Sequence, residues 1–340
     1  MGKSRTAPTL NDVAKEAGVS TATVSRCLNS PARVVDETRK RVLKAVDKLG
    51  YTPNIAARIM AANRSYSIGA IIPTMDNAIF ARGLQAFQDQ LREKGYSLLV
   101  ASSAYRPEIE KDQIRTLVAR GVDGLLLIGH ERKHEIYDYL EQHQVPALVA
   151  WSYMPEARQP SVGFDNRGAM CDLARRVLAA GHRHIGLISG VTEGNDRALS
   201  RVEGVRDALA KAGHGAETMT LIETPYGIDN GARAFAEMMQ RNPRPTAVMC
   251  GNDVLAVGAL REAQSLGISV PGEVAITGFD DIELAEIISP SLTTVHVPHR
   301  EMGRKAASEL IDMVEGRSAG QSTCISTHIV SRHSLVAPKN

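Results

Sequence analysis

The sequence predicts an α/β protein in which a small helical head precedes two doubly wound parallel-sheet lobes. Three observations predict it. Residues 1–65 carry apolar residues at helical spacing. From Ser67 onward, short apolar runs alternate with amphipathic stretches in two successive series. Charge is segregated as well: residues 1–65 hold 12 Lys/Arg against 5 Asp/Glu, and the rest of the chain holds 28 against 33. An overall +2 therefore conceals a head of +7 on a body of −5. At 340 residues and 43% hydrophobic composition, the chain can fill two or three domains of about 100–200 residues with buried cores.

In the head, TLNDVAKEAGVSTATVSRCLN from Thr9 to Asn29 reads as two short helices around a glycine turn. Val13, Ala14 and Ala17 form one apolar stripe, Thr9 with Asp12 three residues later resembles a capping box, and Gly18 supplies the turn. Ser20 caps the second helix, where Val24 and Leu28 face inward and Thr21, Ala22, Ser25 and Arg26 face out. A small outward face with one arginine can enter a major groove, where a guanidinium bonds guanine O6 and N7 in a fork. The basic charge of the head supplies phosphate neutralisation, which makes binding salt-dependent. Asp36 and Glu37 open a third helix whose Val42, Leu43, Val46 and Leu49 are expected to close a small core before Gly50 stops it. Pro53 then breaks the chain, and Asn54 can cap a short helix from about Ile55 to Ala62. Isolated helices shorter than about 12–15 residues are marginal in water, so this one should form only against DNA or a second subunit.

The body begins with SIGAIIP, AIFARGLQAFQDQLREKG, YSLLVAS, QIRTLVARG and VDGLLLIG. A second series follows: HIGLISG, VEGVRDALAKAG, ARAFAEMMQRNP, PTAVMCGND, AVGALREAQSLG and EVAITGFDD. Near-continuous apolar strands separated by helices indicate parallel sheets, and ligands of such folds bind at the carboxyl ends of the strands. No apolar run approaches the ~18 residues of a membrane span, and no signal-peptide pattern opens the chain, so a soluble cytoplasmic protein is expected. Cys27, Cys171, Cys250 and Cys324 form no CxxC pair and are expected to be reduced, mostly buried hydrophobes; no metal or cofactor is called for.

These motifs in order, together with ETRKRV, LGYTPNIAAR, VGFDN, GHRHIGLISG, PGEVAITGFDD and LTTVH, resemble the lactose repressor (LacI/GalR) family of transcription regulators along essentially the whole chain. The resemblance implies a helix-turn-helix headpiece over residues 1–53, a hinge helix and linker over 54–66, and a periplasmic-binding-protein-like core over 67–340. Within the core it implies an N-lobe of about 67–165 and 295–324 and a C-lobe of about 166–294 and 325–340. It further implies a homodimer on a palindromic operator, regulated by a small-molecule effector, with repression the family default. Thr21, Ala22 and Arg26 would read bases; Ser20, Thr23, Asn29 and Arg33 would serve phosphates, with Arg58 nearby. Met60 stands where the family usually wedges a leucine into the minor groove. The tail after Ser331 has no leucine heptads, so four-chain association is not expected.

For the effector, the resemblance points to Ile79, Phe80, Trp151, Asp165, Arg201, Tyr226, Asn252 and Asp280. Aromatic faces cover C–H groups while carboxylate and amide groups bond hydroxyls, as polyhydroxylated ligands require. Arg197, where relatives can carry a small hydroxyl residue, lies four positions before Arg201 and so on the same helical face. Two guanidiniums favour an anion and therefore a sugar acid such as gluconate, although Arg197 can instead pair with Asp196 or with an acid across the cleft. Two other functions compete. His130, Glu131 and His134 spell HExxH, the signature of a zinc hydrolase, but directly after a strand and among charged neighbours. A sugar-binding transport protein shares the two-lobed core, yet neither a signal peptide nor a need for a basic head fits it. No P-loop, Gly-x-Ser-x-Gly elbow or post-strand GxGxxG is present, so no enzyme is expected.

Overall fold

The computed structural model describes residues 7–29, 33–52, 64–76 and 78–338, without the side chains of Asn29 and Ala216. It divides into two units, Met1–Ser65 and Tyr66–Asn340. In the first, α1 (Leu10–Ala17), α2 (Thr21–Asn29) and α3 (Asp36–Leu49) enclose Val13, Ala14, Ala17, Val24, Cys27, Val42, Ala45 and Tyr51. The capping box is complete: the Thr9 hydroxyl accepts the Asp12 backbone N–H, and the Asp12 carboxylate accepts the N–H of Thr9 at 2.9 Å. Gly18 turns the chain with φ +63°, a left-handed conformation that costs glycine nothing. One expectation for α3 fails. Leu43 is exposed, because the helix turns Val42, Ala45, Val46 and Leu49 inward at i, i+3, i+4 and i+7, and residue 43 lies off that stripe. The hinge residues Arg58 and Met60 lie outside the described residues.

The second unit contains two parallel sheets. The first takes β1 (Ser67–Ile72), β2 (Ser97–Ser102), β3 (Gly124–Ile128), β4 (Ala147–Ala150), β5 (Ser161–Gly163) and, from far downstream, β11 (Thr323–Cys324). Their order is β11-β5-β4-β3-β1-β2, with every pairing parallel. The second sheet holds β6 (Ile185–Ser189), β7 (Met219–Glu223), β8 (Ala247–Cys250) and β9 (Ala275–Thr277) in the order β7-β6-β8-β9, again parallel. An antiparallel ribbon of β10 (Thr294–His296) and β12 (His328–Val330) joins the β9 edge of the second sheet through the bridges Thr277–Thr293 and Asp280–His296.

The apolar runs become central strands because helices cover both sheet faces: every residue of β3 and of β6 is buried. Helix Ala78–Glu93 packs against His299–Val314 on the first sheet, while Asn166–Ala179 packs against Asp196–Lys211, and Ile228–Met238 against Asp253–Ser265, on the second. Among the cysteines, Cys27, Cys171 and Cys250 are buried and Cys324 is exposed. No helix of the described residues is long and apolar enough to cross a membrane.

Candidate functional site

On the head, Thr21, Ala22 and Arg26 are exposed along α2, Thr23 and Ser25 are half-buried, and Arg33 is exposed. The Ser20 hydroxyl accepts the Thr23 N–H at 3.2 Å and lies 2.9 Å from the Thr23 hydroxyl, so the helix opens on a pair of small polar groups. Helix α2 contains no acidic residue that would repel phosphate.

In the core, the carboxyl ends of the strands converge on one cavity. Ile79 and Phe80 follow β1, Tyr105 follows β2 and Trp151 follows β4. From the second sheet come Asn195, Arg197 and Arg201 after β6, Tyr226 after β7, Asn252 after β8 and Asp280 after β9. Both sheets thus present their switch-point ends to the same space, as ligand sites of doubly wound folds do. Tyr105, Trp151 and Asp280 have φ of +58°, +63° and +105°. A non-glycine residue pays strain for such a backbone, and such strain clusters at ligand sites.

Arg201, buried, is fixed on several sides. Its Nε donates to Asn166 Oδ1 at 2.9 Å and its Nη1 to the Gly251 carbonyl at 2.6 Å, while Nη2 stands 3.7 Å from Asp280 Oδ1. The guanidinium also stacks 3.9 Å from the Phe279 ring centroid, a cation–π contact that holds it flat. Asp280 is fully enclosed. Burial pushes its carboxyl up to about 7, with Arg201 pulling the other way. Asp253 behind it rises to about 8 through burial and the neighbouring Asp280, although Thr294 donates to it at 2.6 Å. Asn195 and Asn252 spend their carbonyl oxygens capping the helices that begin at Asp196 and Asp253, accepting from Ala198 and Leu255. Those caps leave their NH₂ groups for a ligand.

Trp151 Nε1–H donates to His299 Nδ1 at 3.2 Å, which leaves the other ring nitrogen, Nε2, to carry the proton of the neutral imidazole. Burial holds His299 down to about 3, and Arg201 and Arg82 oppose a further positive charge. His299 Nε2 and Asp280 Oδ1 face each other at 4.0 Å, and neither has a hydrogen-bond partner among the described residues. A hydroxyl can accept from the first and donate to the second.

Contacts between the lobes close the cleft. Asp196 accepts the His130 backbone N–H at 2.8 Å, Arg82 pairs with Glu283 at 2.8 Å, and the Tyr105 and Tyr226 rings meet at 5.9 Å. Arg197 is 3.0 Å from Asp196, so the pairing weighed as its alternative role is present. Gly129 makes room for this pair, since a Cβ there would collide with both side chains.

Of the residues expected at the cleft, Ile79, Phe80, Trp151, Arg197, Arg201, Tyr226, Asn252 and Asp280 line the cavity. Asp165 does not. It is exposed, and its carboxylate caps helix Asn166–Ala179 by accepting the Gly168 N–H at 2.9 Å. Sequence reasoning missed Tyr105 and Asn195, and also His299 behind Trp151. Asn195 carried a usable signal, a cap residue opening a helix after an apolar strand.

The HExxH segment does not adopt the zinc-hydrolase arrangement. His130 lies in the loop after β3, while His134 starts helix His134–Gln142 on an exposed face, so no single helix presents both. Between them Arg132 is buried and pairs with Glu110 at 2.7 Å. No group of three His, Cys, Asp or Glu among the described residues could hold a metal ion.

Comparison with known proteins agrees with this geometry. Residues 9–54 match the model of bacterial regulatory proteins of the lacI family, and residues 174–335 match a periplasmic binding protein-like domain. The HTH-type transcriptional repressor CytR of Escherichia coli K12 is 33% identical over 321 residues, 94% of each chain. The lac repressor dimer bound to operator and the anti-inducer ONPF superposes with a TM-score of 0.85 at 26% identity, over 98% of this chain and 100% of that one. The transcriptional regulator CelR–cellobiose complex gives 0.72 at 29% identity, over 96% and 99%. The chain therefore belongs to the lacI family of bacterial regulatory proteins, as a DNA-binding transcriptional repressor under the control of a small-molecule effector and not as an enzyme.

Proposed function

We propose that this repressor acts in the cytoplasm as a homodimer on a palindromic operator, and that its effector is a small polyhydroxylated acid of the gluconate kind held between the lobes. The observation that carries the ligand class is the charge of the cleft. Arg197 and Arg201 both line it beside one carboxylate, Asp280, which burial pushes toward neutrality, and Arg197 also pairs with Asp196 at 3.0 Å. A ligand carboxylate exchanges for Asp196 on Arg197, whose guanidinium fork holds it by two parallel bonds. Hydroxyls then find the Asn195 and Asn252 amides, with aromatic faces for the C–H groups. Relatives solved with cellobiose and ONPF support a sugar-like ligand.

Thr21, Ala22 and Arg26 are proposed to read bases, with Ser20, Thr23, Asn29, Arg33 and Arg58 on the phosphates and Met60 as the minor-groove wedge. Residues 1–53, 54–66 and 67–340 are the proposed headpiece, hinge and core. Ligand binding changes the angle between the lobes and so the fit of the head pair to DNA, a coupling that must be reciprocal.

The test is a thermal-shift screen against sugar acids, neutral sugars, phosphorylated sugars and nucleobases, because a ligand of the folded state raises the melting temperature. A sugar-acid response that is lost in Arg197→Ala, with operator binding retained, is expected. A response confined to neutral sugars or bases, or equal in the two proteins, contradicts the acid assignment.

A further inference from the structure

The polar cavity between the lobes is small, about 20 Å³, which is room for about one water centre. Ligand-sized space lies immediately outside it. There the cleft widens into a chamber of about 520 Å³, within the roughly 300–1,000 Å³ of ordinary ligand pockets. Tyr105 and Tyr226 belong to both spaces, so their paired rings form the partition. The partition is built and not incidental. Ala104 and Tyr105 hold consecutive left-handed backbones at φ +51° and +58°, and Gly190 lets the Tyr226 ring lie directly on the chain, where a Cβ would strike it.

The two spaces differ in chemistry. The outer walls are apolar and flat, from the two tyrosines, Pro225, Val191 and Val254, and suit the C–H face of an uncharged ring. Its charged residues are Asp76 and Glu193, both acidic, whereas the inner cavity presents Arg201, beside Asp280, and Arg197, which pairs with Asp196. The two outer acids repel a carboxylate, which orients a ligand with its anionic end toward the guanidiniums inside and a neutral portion outward.

We infer that the effector is a sugar acid carrying one uncharged glycosyl ring, an aldobionic acid, whose acid end reaches Arg197 and Arg201 when the Tyr105–Tyr226 partition parts and whose glycosyl ring occupies the outer chamber. This rests on the sugar-acid assignment proposed above and extends it.

Isothermal titration of the full-length protein with D-gluconate, cellobionate, lactobionate and maltobionate tests the inference, with glucose and cellobiose as the uncharged pair. At least one aldobionate should bind at least tenfold more tightly than D-gluconate. Val191→Phe should bring that aldobionate down to the D-gluconate level; Val191 is 42% exposed, so the added ring occupies the chamber and not the core. Val254→Phe, a second lining position, should do the same. D-gluconate binding as tightly as all three aldobionates, or an advantage that survives both substitutions, overturns the outer subsite. If no acid binds while cellobiose exceeds glucose tenfold and Val191→Phe removes the difference, the outer ring stands and the acid end falls. Absence of binding by all six overturns both.

Discussion

At the scale of single residues, the cleft is governed by groups that burial keeps from their ordinary charge. Asp280 is the sharpest case, with its carboxyl raised to about 7 in the folded protein from 3.8. A raised folded-state pKa means that the native protein binds more protons than the unfolded chain across that interval. Stability from this group is therefore complete below about pH 4, is lost as pH rises toward 7, and stays lost above it. Asp280→Asn removes the titration. Its melting temperature relative to wild type should be distinctly more favourable at pH 8 than at pH 5, as thermal unfolding at the two values will measure; a pH-independent difference contradicts the assignment. Trp151 offers a second handle, being the chain's one tryptophan, buried at the cavity and bonded to His299. Any ligand that raises the melting temperature by binding the cleft should also change intrinsic tryptophan emission, and a flat titration with such a ligand would place its site elsewhere.

At the scale of elements, much of the molecule was legible in the sequence. The stripe Val13, Ala14, Ala17 and the Thr9–Asp12 pair define α1 by local chemistry alone, and the local reading agrees with the structure because caps act within one turn. Thr9→Ala should destabilise the head by about 1 kcal/mol, read as earlier thermal unfolding of residues 1–65 by amide exchange, with the core unaffected. Equal loss in both units would mean that the cap is not what holds α1. The strands were legible for the same reason, since runs such as GLLLI are buried on both faces.

What escaped notice depended on distant parts of the chain or on competing uses of one residue. Leu43 belongs to an apolar-looking helix yet falls off its buried stripe, and Asp165 is drawn into a cap that its position before Asn166 makes available. Tyr105 reaches the cavity only through a left-handed backbone that a tyrosine does not announce. His299 meets Trp151 across 148 positions of sequence, beyond any local pattern.

At the scale of the whole molecule, the segregated charge and the two units assign the work. The head carries the basic charge, and in the two-lobed core both sheets supply groups to one cavity. The contacts now spanning the lobes, Asp196 to His130 and Arg82 to Glu283, come from opposite sides of the cleft and must yield or tighten as a ligand enters. Coupling of that kind changes operator affinity only if the ligand distinguishes the lobe arrangements that DNA accepts from those it rejects.

The most direct measurement is selection of duplex DNA from a random library by the full-length protein and by Arg26→Ala, sequenced side by side. Wild type should enrich a two-fold symmetric sequence, and the variant should relax selection at one base pair in each half-site, at a cost of about 1–3 kcal/mol per contact, while still requiring the rest. Absence of any enriched sequence, or identical enrichment by the two proteins, would contradict base reading by α2 and with it the operator-binding role assigned to the head.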